Sequence, residues 1–116
     1  MYGLSVIIPS WKYWAAPRKL QPLWELYYAT LIEDRCPEAS VEVVDLRLPT
    51  IQDDRPSVAE QDVYFYWIMK SADANEIYDL VRDLRQKHRK SVHVAGGTHV
   101  ENCPDECVDV FDSIFL

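Results

Sequence analysis

Apolar positions in this chain come in short runs separated by helical stripes, and the two patterns alternate. Residues 4–9 (Leu-Ser-Val-Ile-Ile-Pro) form a β-branched run that predicts a buried first strand. Pro22 suits a first helical turn, and Leu20, Leu23, Trp24, Tyr27 and Leu31 recur at helical spacing to about Arg35, where Cys36-Pro37 stops the helix. Residues 41–46 (Val-Glu-Val-Val-Asp-Leu) predict a second strand and 62–69 (Asp-Val-Tyr-Phe-Tyr-Trp-Ile-Met) a third. The polar, Pro-bounded connection between them, 49–56, carries Asp53 and Asp54. Asp73 and Glu76 then have the spacing of a capping box, and Ile77, Leu80, Val81 and Leu84 make one apolar stripe, so a second helix is expected to about Lys90. Residues 92–95 predict a fourth strand, 104–108 a single helical turn and 113–116 a fifth strand.

Strands that alternate with helices and lack polar alternation imply a parallel sheet covered on both faces. The expected architecture is therefore α/β: a doubly wound, mostly parallel five-stranded sheet in a flavodoxin- or Rossmann-like three-layer sandwich. Residues 1–116 form one domain, since this length supports a single core. The 49–56 connection stands where a covering helix is expected. A closing helix after residue 116 is also missing, so the chain reads as the front module of a longer protein.

A formal net charge of −7 argues against a nucleic-acid partner, which needs a basic face. The basic residues Arg82, Arg85, Lys87, Arg89 and Lys90 fall in the last turns of the second helix, where cations complement the dipole. No apolar run approaches the roughly 20 residues that span a bilayer, and Lys12, Arg18 and Lys19 follow the first apolar run instead of preceding it as in a signal peptide. Three unevenly spaced cysteines make no disulfide framework, and a reducing cytoplasm fits best.

The chemistry-bearing residues are few. Gly96-Gly97 follows the fourth strand, where ligands approach open α/β sheets and where a Cβ would block them. Trp11, Tyr13, Trp14, Tyr66 and Trp67 are expected near the carboxyl ends of the first and third strands. There they would stack on a planar ligand, form a domain interface or fill the cleft. His99, Cys103 and Cys107 run as H-x-x-x-C-x-x-x-C, but no fourth ligand stands nearby and Pro104 starts a new helix between the cysteines, so no metal is assigned. His93 reads as a sheet residue and His88 as a helix-end cation. The acidic pair and lysine of a phospho-receiver are missing from their places, as are G-x-G-x-x-G and the phosphate-binding G-x-x-x-x-G-K-[ST] loop. No catalytic constellation can be assembled.

The run Val94-Ala95-Gly96-Gly97-Thr98-His99, then Pro104-Asp105-Glu106-Cys107, then Phe111-Asp112-Ser113-Ile114-Phe115-Leu116 resembles the amino-terminal cobalamin-binding-like domain of radical S-adenosylmethionine enzymes. That family has Gly-Gly-Pro-His, a proline-led acidic helix and Phe-Asp opening a strand; here Thr98 replaces the proline. Val43-Val44-Asp45-Leu46 looks like its second strand, and Ser71 falls near its serine or threonine after strand three. The resemblance implies cofactor contacts at Gly96, Gly97, Thr98, His99, Ser71, Trp11 and Trp67. It implies a radical barrel in the same polypeptide as partner, with the [4Fe–4S] cluster and S-adenosylmethionine held there. Cys103 and Cys107 have the first spacing of the family's C-x-x-x-C-x-x-C, but Val110 takes the third place, so this chain carries no cluster and no catalytic residue is named. Whether the domain belongs to an enzyme rests on that barrel.

Cobalamin is left open. The D-x-H-x-x-G of histidine-ligating relatives has no counterpart in residues 9–17, while relatives without that histidine use the glycine pair to line the nucleotide slot. The expected function is to position cobalamin or cap the barrel. The alternative is an interaction or oligomerisation module that has lost the cofactor, and a third reading is a free-standing small-molecule binder. A cofactor module predicts an open cleft beside Gly96 and Gly97. An interaction module predicts one plugged by Trp11, Trp14 or Trp67.

Overall fold

Strand β1 (Tyr2–Ile8) is buried from Leu4 onward, as its β-branched run requires, because it lies inside the sheet with a neighbour on each side. The computed structural model describes residues 1–12, 15–48 and 58–116. The polar connection with Asp53 and Asp54, and the rings of Tyr13 and Trp14, lie outside the described residues. Strand β2 (Ala39–Asp45) and β3 (Val63–Trp67) flank β1, β4 (Val92–Gly96) pairs with β3, and the two-residue β5 (Ser113–Ile114) pairs with β4. Every pairing among the described residues is parallel, and the order is β2-β1-β3-β4-β5. This is the flavodoxin-like order, and its switch point lies between β1 and β3.

Helices cover both faces of the sheet. On one, α2 (Ala74–Lys87) sets Ile77, Val81 and Leu84 on Ile7, Tyr64 and Tyr66, and α3 (Thr98–Asn102) and α4 (Pro104–Val110) add Val100 and Cys107. On the other, α1 (Leu23–Arg35) packs Tyr28, Ala29 and Ile32 against Leu4, Val6 and Phe65. Buried apolar area of this kind, at about 25 cal/mol per Å², is the main favourable term holding such layers together. Unlike α2, α1 is apolar on its outer side as well: Leu23, Trp24, Leu26 and Tyr27 are 46% to 65% exposed.

The boundaries depart from the sequence pattern at instructive places. Helix α2 stops at Lys87, where the His88 N–H closes the last turn on the Leu84 carbonyl, so Arg89 and Lys90 lie beyond the helix. The expected capping box is not formed: Asp73 makes no side-chain cap bond, and Glu76 instead binds the Ser10 backbone N–H and hydroxyl. An unexpected helix, α3, starts directly after Gly97, and α4 runs two residues longer than the single turn expected at 104–108. No helix among the described residues is long and apolar enough to cross a membrane.

Candidate functional site

The carboxyl ends of the strands carry three side-chain clusters, and the glycine pair sits in the first. Gly96 ends β4 with its missing Cβ directed at Phe115: an atom placed there would lie 2.3 Å from the ring's Cζ. That ring stacks on Phe65 at 5.5 Å and on Trp67 at 6.1 Å, and Trp67 in turn stacks on Trp24 at 5.5 Å and lies tilted against Tyr28 at 4.8 Å. Trp67 Nε1 is buried and has no hydrogen-bond partner among the described residues. Gly97 has φ of 112°, a left-handed conformation that favours glycine, and its missing Cβ would stand 2.5 Å from the Ile68 carbonyl oxygen. Both glycines thus serve close approach, and the atoms that approach them belong to this chain. Thr98 is exposed, its hydroxyl 3.7 Å from Met69 Sδ.

The second cluster joins two of the expected residues. Ser71 stands at the start of the turn before α2 and His99 in α3, and Ser71 Oγ lies 2.7 Å from His99 Nδ1. On the far side of the imidazole, Tyr78 Oη is 2.8 Å from Nε2, and the Tyr78 hydroxyl donates to Glu106 Oε2 at 2.7 Å. With that proton committed, Tyr78 accepts from His99 Nε2–H, which leaves Nδ1 to accept from Ser71. Burial, with Cys107 and Glu106 at hand, pushes the Tyr78 phenol well above its ordinary range, so it stays a neutral donor. His99 is buried, while Glu106 stands exposed at the rim with its Oε2 3.3 Å from Nε2. Cys103, at the junction of α3 and α4, brings a third ligating atom to His99 and Glu106: one from each residue lies within 4.8 Å of the others. The cysteine in this group is therefore Cys103, and Glu106 takes the place that the H-x-x-x-C-x-x-x-C pattern gave to Cys107. Cys107 is fully buried, its Sγ 3.5 Å from Tyr78 Oη.

The third cluster lies past β1 and β2. Arg47 forks onto both Asp45 carboxylate oxygens at 2.8 and 2.7 Å and donates to the Pro17 and Leu20 carbonyls. Trp11 lies against this guanidinium, 5.2 Å from its carbon to the ring centre, and not against Trp67. Nearby, Glu25 is 3% exposed, and burial raises its carboxyl to about 7, with Asp73 and Asp45 adding to the rise and Arg47 opposing it.

The expected gathering of rings at the switch point is thus divided. Trp67 faces α1, Trp11 faces Arg47, and Tyr66 lies fully buried on the α2 face, its hydroxyl 2.8 Å from His93 Nδ1. The period-2 alternation of β3 alone sends Tyr66 and Trp67 to opposite faces. His93 is a buried sheet residue whose pKa falls to about 4, chiefly by burial and then by Arg85, against the opposing charge of Asp112. Of the residues that complete these clusters, Glu106 was visible in the acidic run after Pro104. Tyr78 carried no sequence signal, since it lies beside an apolar stripe and reads as part of it.

The N-terminal domain of the hypothetical protein TM0182 of Thermotoga maritima has a similar structure, with a TM-score of 0.52 and 22% identity over 84% of this chain and 88% of that one. At that identity the likeness is one of fold. No protein-family model matches the chain, and no curated protein does.

Proposed function

We propose that this domain is a non-catalytic interaction module of cobalamin-binding-like fold that docks on and caps a radical S-adenosylmethionine barrel. The observation that carries the reading is the ring of Phe115 lying on Gly96. Where the resemblance puts the nucleotide tail of a cobalamin, this chain puts Phe115, backed by Trp67, Tyr28 and Phe65. The residues present do not fit the cofactor. Its slot is filled, and no histidine stands in the loop after β1. The plug comes from Phe115 and Trp67 together.

The outer side of α1 supports the docking half of the reading. Leu23, Trp24, Leu26 and Tyr27 stand exposed beside the Trp67 stack, and contiguous exposed apolar surface marks interaction sites. Aromatic anchors of this kind dominate the energetics of interfaces.

Titration with hydroxocobalamin, following the corrin absorption bands, tests the first half. No saturable change is expected up to high micromolar cobalamin. Saturable binding that weakens in Gly97→Trp would overturn the plugged reading in favour of a cofactor module. The partner is tested on the genomic reading frame that encodes the domain: a downstream C-x-x-x-C-x-x-C supports the barrel, and a frame without one removes it. With the barrel present, Leu26→Glu combined with Tyr27→Glu is expected to loosen the domain in limited proteolysis.

A further inference from the structure

We propose that His99, Cys103 and Glu106 form a binding site for one divalent cation of the zinc class, with a fourth coordination position open to solvent. The inference is independent of the docking reading, because it uses the α2–α3–α4 side of the sheet and none of the Gly96 residues.

The backbone makes the site. Helix α3 ends at Asn102, and Pro104 opens α4, so Cys103 is at once the last cap of one helix and the first of the next. Its φ of −129° and ψ of 52° break the helical path and turn α4 back toward α3. Residues 99, 103 and 106 reach one point because of this break, with a ligand atom from each within 4.8 Å of the other two. Two ligands each roughly 2.0–2.1 Å from a tetrahedral ion stand about 3.3 Å apart. His99 Nε2 and Glu106 Oε2 are 3.3 Å apart.

The surroundings are those a ligating histidine requires. Such a histidine donates its other ring N–H to an oxygen, which fixes both tautomer and ring orientation. Here that oxygen is Ser71 Oγ, 2.7 Å from Nδ1. A serine hydroxyl both donates and accepts, so the ring can pass from the tautomer that binds Tyr78 to the one that frees Nε2, without losing Ser71. Tyr78, 2.8 Å from Nε2 in the metal-free chain, yields that position to the ion and turns its hydroxyl to Glu106 alone. Access is open on the outer side, because Glu106 is exposed and Cys103 half-buried.

The donor set selects the metal. One imidazole, one thiolate and one carboxylate suit zinc, and the thiolate disfavours magnesium and calcium, which prefer oxygen. Two ligand charges balance a divalent ion, so binding leaves no net charge beside the buried imidazole. Cys107 is not a ligand in this arrangement, since its sulfur is buried against Tyr78.

Cobalt(II) is the probe, titrated into the metal-free, reduced chain, with zinc added afterwards to displace it. One equivalent is expected to give the visible bands of a tetrahedral centre together with a thiolate-to-cobalt charge-transfer band, both bleached by zinc. Cys103→Ser removes the charge-transfer band, and Glu106→Gln, at an exposed position, weakens binding by tenfold or more. Ser71→Ala weakens it about tenfold and keeps the spectrum, as loss of an outer-shell partner does. The proposal is overturned if the wild type takes up no cobalt, binds it without a thiolate band, or shows a band that survives Cys103→Ser and is lost in Cys107→Ser or Cys36→Ser. Circular dichroism of each variant separates loss of the site from loss of the fold.

Discussion

The ring of Phe115 occupies the space that a side chain at Gly96 would need, and each of the two residues explains the other. Gly96→Ala puts a methyl group 2.3 Å from the Phe115 ring, and the overpacking is expected to cost about 1–3 kcal/mol. Because the clash is with a side chain, Phe115→Leu in the same molecule should recover part of the loss. Urea denaturation of the two single variants and the double variant measures the coupling, and simple additivity would refute it.

Gly97 answers differently. The atom its Cβ would meet is the Ile68 carbonyl oxygen, and its φ of 112° strains any L side chain. Gly97→Ala should cost about 1–3 kcal/mol. No substitution at Ile68 should relieve it, since every residue there keeps the same carbonyl.

Two buried groups act in opposite directions on stability between mildly acid and neutral pH. The His93 imidazole titrates at about 4 in the fold against an ordinary 6.5, so the unfolded chain binds more protons and stability falls as pH drops through that window. The Glu25 carboxyl titrates at about 7 against 4.5, so the folded chain holds more protons and stability falls as pH rises through its window. Asp112 lies below its ordinary 3.8: burial works against this, but the His93 N–H and Arg85 hold the carboxylate charged, so its loss comes at more acid pH. Glu25→Gln should therefore stabilise the protein above neutrality and steepen its sensitivity to acid. His93→Gln should flatten the acid side. Urea midpoints measured across pH for the wild type and both variants check the two signs.

Tyr78 joins His99 to Glu106 through one hydroxyl. Tyr78→Phe keeps the ring packed on Phe111 but leaves the buried His99 Nε2–H without its acceptor, at an expected cost of about 1–3 kcal/mol. A cost near zero in urea denaturation would mean that Glu106 or water replaces the phenol.

Legibility followed the range of the interactions. Helix α2 was readable because Ile77, Val81 and Leu84 are core residues at a spacing set by the helix itself. Its start was misread because Asp73 and Glu76 have the right separation for a local cap, whereas Glu76 serves Ser10, 66 residues away. Helix α3 is a single turn, too short to establish a period, and the glycine pair before it suggests a loop. Ser71 and His99 meet although they stand 28 residues apart in sequence, on two separate elements. Tyr78 joins them from a third element, a relation that only the assembled sheet supplies. The two roles of Gly96 and Gly97 were indistinguishable in sequence, since a glycine states that something comes close and not what it is.

The interior place of β1 also bears on how the chain folds. Strand β1 is made before both of its neighbours: Ser5 meets Glu42, 37 residues on, and Gly3 meets Asp62, 59 residues on. Until β3 has been synthesised, Val6 and Ile7 lack a ladder on one side, even with β2 in place on the other. Contacts this distant along the chain slow folding and lengthen the time that an aggregation-prone segment stays accessible. An interior, apolar strand thus waits for residues 63–67 before its second edge is closed.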